Sequence, residues 1–342
     1  MAQSAQTATR RAMRNVPRAA GWRPRLLAVA PLAVVALTLL LVGRAEYYKH
    51  GYQDLLGFAA LGSNYSQHIG ITHGFVSDVG YDGQFFYYLA LDPGLVVTCA
   101  HTASTCPLDY QPLVRLERIL YPMTARLLAL GQPGLIPLSL LLVNFLAILV
   151  TAALLGRLSV EAGASRWLGA AAALYAGETL AFARDLADPF ATMWLVLAVF
   201  LAQRGRWLWA AMAVAAALLA REQLLLVAPL IGLPLLAERR WRLLSGFVAL
   251  GLGPFVAWQL VLRALYGVWP LLAGDTRAAS VTPLPFGGLW PQRGAGDFKL
   301  EVLVVAVPLV AGAMLAVWAL RRQGWRAILG EPIPAMALWY AL

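Results

Sequence analysis

The feature that most constrains this chain is a succession of apolar runs, each close to the length of a membrane helix. A helix that crosses a bilayer needs about 20 predominantly apolar residues, with a range of about 17–25. Such runs occupy residues 26–42 and 134–155, with shorter ones at 167–182 and 189–202. A long stretch at 207–237 is interrupted by Arg221-Glu222, and further runs lie at 243–262 and 300–320. The final run, 334–342, is too short to span. Composition agrees: of 342 residues, 60% are hydrophobic and only 13% charged, against about 25% charged in a soluble domain. The expected fold is an all-α polytopic transmembrane helical bundle of about eight or nine spans. It forms a single transmembrane domain at 26–342 behind a basic tail at 1–25. That tail and the first run do not end in a small-residue cleavage site, so the run is read as an uncleaved span rather than a signal peptide.

Orientation follows from arginine placement, because cytoplasmic loops carry the excess of Lys and Arg. With the N-terminus inside, the inner segments collect Arg10, Arg11, Arg14, Arg18, Arg23 and Arg25, then Arg157, Arg166, Arg204, Arg206, Arg239, Arg240 and Arg242. Arg321, Arg322 and Arg326 follow the same rule. The net charge of +10 is therefore read as topology and lipid-headgroup contact, not nucleic-acid binding. Every aspartate falls outside: Asp54, Asp78, Asp82, Asp92, Asp109, Asp185, Asp188, Asp275 and Asp297, with Glu222. Acids do not set topology, so a site built on the outer face is the expected cause. This parity makes 207–237 cross twice, turning at Arg221-Glu222. The short runs then form a dish sunk in the outer leaflet, since irregular backbone at that depth is tolerated where it lines a cavity.

Two outer loops are long, about 43–133 and 264–299. Within the first, Leu113, Leu116, Leu120, Leu127 and Leu128 recur at helical spacing opposite Arg115 and Arg126, which suits a helix lying in the interface. Cys99 and Cys106 share that loop and are expected to form a disulfide in an oxidising exterior. Zinc is the weaker reading, because two thiols and His101 fall short of a closed site. His50, His68 and His73 lie in the same loop and are read as surface residues.

Three segments could carry chemistry. The first runs from Ser77 to Pro93 and joins Asp78, Asp82 and Asp92 to a dense aromatic patch. Turn formation explains Asp82-Gly83 equally well. The second is Arg184-Asp185-Leu186-Ala187-Asp188-Pro189, where Asp188 before proline also makes a good helix start. The third is Ala220-Arg221-Glu222-Gln223. There Arg221 either pairs with Glu222 or binds a lipid phosphate. No nucleotide loop, dinucleotide fingerprint, zinc-protease or nucleophile-elbow motif is present. An outer-face reaction would draw its energy from a substrate already in the membrane.

Gly80-Tyr81-Asp82-Gly83-Gln84-Phe85-Phe86-Tyr87-Tyr88-Leu89-Ala90 resembles the signature of a bacterial family of multi-pass proteins. It also resembles, more distantly, the pattern of GPI-anchor mannosyltransferase-like enzymes. The likeness continues through Arg118-Ile119-Leu120-Tyr121-Pro122, Asp185 to Pro189, and Ala220-Arg221-Glu222. It implies the GT-C superfamily: polytopic glycosyltransferases that use polyprenyl-phosphate sugars on the non-cytoplasmic face of a bacterial cytoplasmic membrane. By that resemblance Asp82 is the catalytic base, with Asp78 second. Arg221, Arg184 and Arg118 hold the phosphate. Tyr81, Tyr87 and Tyr121 shape the sugar or lipid site, and Gln84, Asp185, Asp188 and Glu222 join the substrate-binding set. The first outer loop lacks an adjacent acidic pair, which leaves a divalent metal open. The partners implied are the lipid-linked sugar, membrane lipids and an extracytoplasmic glycan or lipid acceptor. A lipid-linked glycan flippase or transporter is the main rival, although neither related halves nor a mid-span charge ladder is visible. A glycan ligase or polymerase would share the topology.

Overall fold

A computed structural model describes residues 22–66, 71, 73–101, 106 and 112–272. The basic tail, the apolar runs at 300–320 and 334–342, and Asp109, Asp275 and Asp297 lie outside the described residues. The described chain is mostly helical. Helix α1 spans Trp22–Lys49. A small extramembrane-type region follows, in which β1 (Leu61–Gly62) pairs in parallel with β2 (Phe75–Ser77). Next come α2 (Gly83–Leu91), α3 (Leu95–His101), α4 (Pro112–Leu116) and α5 (Leu120–Leu128). The bundle continues with α6 (Ile136–Glu161), α7 (Trp167–Ala173), α8 (Ala176–Ala183), α9 (Asp188–Gln203) and α10 (Trp207–Ala220). It closes with α11 (Leu233–Ala237) and α12 (Trp241–Tyr266).

Three stretches are long and apolar enough to cross a membrane: Val29–Lys49, Pro133–Glu161 and Trp241–Tyr266. Shorter apolar helical stretches cover Asp188–Gln203, Trp207–Ala220 and Glu222–Ala237. The long helices leave Leu37, Leu40, Leu41, Leu138, Leu146, Val256 and Leu260 exposed, an aliphatic surface that matches lipid better than water. Inside, small residues let the backbones approach. Gly169 of α7 lies directly on Gly156 of α6, where an added Cβ would collide with backbone. Helices α9 and α10 form an antiparallel hairpin lined by Ala198, Ala202, Ala210, Ala213 and Ala217, all buried. Gly251 of α12 packs less tightly against α10, where an added Cβ would lie 3.3 Å from a Val214 methyl and 3.5 Å from the Ala211 carbonyl. Such close packing of small residues is how apolar helices associate where lipid is the solvent.

The segment between α1 and α6 is docked onto the bundle rather than hanging from it. Phe86 packs edge-on to Tyr121 at 5.4 Å, and Tyr121 meets Phe190 of α9 at 5.9 Å. The Tyr121 hydroxyl donates to the Leu140 carbonyl at 3.2 Å and accepts from Asn144 at 2.8 Å, both on α6. Arg126 donates to the Ala90 and Leu91 carbonyls at 2.8 and 2.7 Å, satisfying the C-terminus of α2. Cys99 and Cys106 are joined by a disulfide, with Cα atoms 4.9 Å apart.

Three regions differ from the sequence-based expectation. Residues 113–131 do not form one interfacial helix. The chain breaks at Glu117–Ile119 between α4 and α5, because Glu117 and Arg118 turn inward, 2% and 8% exposed. Residues 167–182 break at Leu174-Tyr175 into two helices, with Tyr175 extended at φ −53°, ψ 142°. The return limb after Arg221 consists of the 3-10 turns Glu222–Leu226 and Ala228–Gly232 followed by the short α11. Pro229 and Pro234 lack the N–H that a continuous α-helix needs, and Gly232 sits between them.

Candidate functional site

The two ends of the bundle carry different chemistry. At one end the α6–α7 and α9–α10 connections bring together Arg157, Glu161, Arg166 and Arg204. At the other end converge the start of α2, the break between α4 and α5, the start of α9 and the break after α10. Glycine explains the first of these meetings. Gly83 lies in the first turn of α2 with the Arg184 carbonyl directly against it, where any side chain would clash. Gly80, at φ +72°, sits equally close to the Gly62 backbone. Asp82 is thereby fixed at the N-terminus of α2, next to the loop that carries Arg184 to Asp188.

From there an ionic strip crosses the face. Arg115 reaches an Asp82 carboxyl oxygen at 3.3 Å, while its guanidinium lies 3.9 Å over the Phe85 ring. The Asp82 side chain remains 46% exposed. Arg118 is clamped by Glu222 through two parallel hydrogen bonds of 2.8 and 2.7 Å, the bidentate geometry that makes an arginine–carboxylate pair strong. The charges of Asp82 and Asp188 are near enough to act on Arg118 as well. Arg221 pairs with Asp188, and its Nε donates to Gln223 at 2.9 Å. Arg221 is extended at φ −156°, ψ 110°, and successive side chains of extended backbone point opposite ways. That is why Arg221 and Glu222 choose different partners instead of each other.

Asp82, Arg118, Asp188, Arg221 and Glu222 are thus brought into one strip. Other candidates lie elsewhere. Arg184 donates to the Tyr52 hydroxyl at 3.0 Å and approaches Glu46 at 4.0 Å, toward the end of α1. Asp78 lies just beyond β2, where its carboxyl takes a 3.4 Å contact from the Ser63 hydroxyl. Gln84 is buried as a scaffold residue: its amide oxygen accepts from the Gly62 N–H and the Tyr88 hydroxyl, and its nitrogen donates to the Val79 carbonyl. Tyr121 is equally interior, whereas Tyr81 stands half exposed beside Asp82. Tyr87 is buried, and burial, followed by the charge of Asp54, raises its pKa. Asp185 is fully buried with φ +49°, and neither carboxyl oxygen has a hydrogen-bond partner among the described residues. Burial pushes its pKa well above the ordinary carboxylate value, so this place favours the neutral acid.

Several residues of the site have no site role in the sequence reading. Arg115 enters as the partner of Asp82. Glu117 lies 2% exposed next to the Arg118–Glu222 pair. Burial, and then the charge of Glu222, raise its pKa to about 8. Glu178 accepts a 2.7 Å hydrogen bond from Thr192. Its signal was available, since a lone acid in an apolar run is a functional-site hypothesis by default. No group of three or more His, Cys, Asp or Glu able to hold a metal ion occurs among the described residues. No protein-family model matches this chain, and neither a curated protein nor a solved structure matches it.

Proposed function

We propose that this protein is a membrane-embedded glycosyltransferase of the GT-C type. It moves a sugar from a polyprenyl-phosphate donor to a glycan or lipid acceptor on the non-cytoplasmic side of a bacterial inner membrane. One observation carries the reading: residues 82, 118, 188, 221 and 222, far apart in the chain, share one charged strip at the end of an apolar bundle whose opposite end is arginine-rich. The arginine-rich end suits the cytoplasmic side by the positive-inside rule.

In the proposed reaction the half-exposed Asp82 carboxylate accepts the proton of an acceptor hydroxyl. The hydroxyl oxygen bonds to the sugar's C1 as the bond from C1 to the phosphate oxygen breaks. The lipid phosphate leaves with the electron pair, and the configuration at C1 inverts. Phosphate needs little help to leave, so cationic stabilisation suffices. Arg221 and Arg115, partly exposed, suit that task better than Arg118, which Glu222 holds in the interior.

The test is sugar transfer by the purified protein in nanodiscs, supplied with a panel of polyprenyl-phosphate sugars. Asp82→Asn should lower the turnover by about 1,000-fold, within the range general bases contribute, while leaving the melting temperature unchanged. Transfer that survives the substitution removes Asp82 as the base. No transfer from any donor by the wild type removes the reading itself.

A further inference from the structure

A cleft of about 350 Å³ opens between α8, the first turns of α9 and the turn after α10. Small-molecule sites run from about 300 to 1,000 Å³, so this one has room for a single small ring. Its polar side chains are Tyr175, Glu178, Asp188, Thr192, Arg221 and Gln223. Most of that polarity is internally satisfied, since Arg221 takes both Asp188 and Gln223. Glu178 is the exception. Thr192 donates to Oε1 at 2.7 Å, but Oε2 is shielded from water and has no hydrogen-bond partner among the described residues.

An acceptor left unpaired out of water is costly, so a donor that reaches Oε2 is favoured there. The donor's charge is limited by what surrounds it. Two carboxyl groups, Glu178 and Asp188, face one guanidinium, Arg221, which Asp188 already engages. Against Glu178 an anionic substituent of the ring would meet a carboxyl group rather than a cation, whereas a neutral hydroxyl would find its acceptor.

We propose that this cleft is a subsite for a neutral, polyhydroxylated ring, and that Oε2 of Glu178 accepts one of the ring's hydroxyls. The inference deepens the glycosyltransferase reading and rests on it only in naming the ring as the sugar of donor or acceptor. It also selects against uronic acids and other anionic sugars.

The experiment uses the full chain in nanodiscs and saturation-transfer NMR. The probes are the methyl glycosides of glucose, galactose and mannose, methyl glucuronide, farnesyl phosphate, and farnesyl-phosphate glucose. At least one neutral glycoside should bind, and the glucuronide should bind about 10-fold more weakly or not at all. Glu178→Ala should weaken the neutral glycoside about 10-fold, and Thr192→Val, which frees the Glu178 carboxyl, should weaken it less. Thermal melting of each variant shows whether the fold is kept. Glu161→Gln, at the opposite end, should change nothing. Displacement of the glycoside by farnesyl-phosphate glucose assigns the ring to the donor, and simultaneous binding assigns it to the acceptor. The subsite is overturned if no neutral glycoside binds, if the glucuronide binds as well, or if both folded variants bind like the wild type. Failure of farnesyl phosphate to bind counts separately, against the lipid-phosphate reading.

Discussion

The bundle carries an arginine–glutamate pair at each end of α9, and the two pairs could hardly sit in more different surroundings. That helix is 16 residues long, or about 24 Å at 1.5 Å per residue. Near its start, Arg118 and Glu222 meet in the interior, each side chain 10% exposed, with two matched hydrogen bonds. Just past its end, Arg204 and Glu161 meet with side chains 31% and 53% exposed. An exposed pair gains little, because water and salt already screen both charges. A buried pair must offset a desolvation penalty of several kcal/mol per ion, and replacing it with apolar residues is often neutral or better. Topology and solubility account for the exposed pair. Stability does not account for the buried one, which lies beside Asp82 and Asp188 in the strip to which the proposed reaction is assigned. It clamps the break after α10, so that Arg221 is presented to the cleft.

Removing one member of each pair sharpens this contrast. Glu222→Ala leaves the Arg118 guanidinium buried and alone. It should destabilise the protein by about 3 kcal/mol or more, read as a lowered melting temperature in nanodiscs. Joint replacement of Arg118 and Glu222 by Met and Leu should recover much of that stability without recovering transfer. A double variant that is as active as the wild type would reduce the buried pair to scaffolding and erase the contrast.

Glu117 allows a pH version of the same comparison. Its pKa is about 8 in the fold and about 4.3 in an unfolded chain. Between those values the folded state binds more protons than the unfolded state, so stability must fall as pH rises through that window. Below pH 4 the term vanishes as a pH dependence, and above pH 8 the penalty is fully present. Glu117→Gln removes the group that has to ionise. It should flatten the decline in melting temperature between pH 5 and 8 and stabilise the protein at pH 8 by about 2 kcal/mol, a cautious share of the ~1.4 kcal/mol per pKa unit. An unchanged pH profile would mean that water reaches this carboxyl and that the interior around Arg118 is not dry.

How much of this was legible in the sequence depends on the range of the interaction. The three long helices were readable because apolar runs are local, and the arginine-rich end was readable because its arginines recur at the ends of those runs. The strip was visible only as four separate motifs. Its wiring depends on contacts across 33 to 104 positions, Arg115 to Asp82 and Arg118 to Glu222, which no local pattern encodes. Gly83 shows the limit well. Beside Asp82 it reads as a turn residue, yet its absent side chain makes room for the Arg184 carbonyl. Arg221 and Glu222 show it again: adjacency suggested a mutual pair, and extended backbone sent each to a distant carboxylate or guanidinium. Glu178 was legible as a lone acid in an apolar run, but its neighbours were not, since only the fold brings it to the cleft with Asp188 and Arg221.

The smallest effect should come from Glu161→Gln, and it is the control on which the contrast depends. The Glu161 carboxyl takes one guanidinium nitrogen of Arg204 at 2.5 Å, but a short contact in water is not a strong one. Arg204 does not depend on it. The same guanidinium donates to the Phe200 carbonyl at 3.0 Å and lies 3.4 Å over the Phe200 ring. Removing the carboxylate therefore leaves no buried charge unpaired, and the solvent that covers half of Glu161 also screens what the pair gains. The substitution should change stability by no more than about 0.5 kcal/mol, a shift already halved or better when the wild type is measured at high salt. Glu222→Ala should show no such salt dependence, because ions do not reach its partner. If Glu161→Gln instead cost as much as Glu222→Ala, burial would not be what separates the two ends of the bundle.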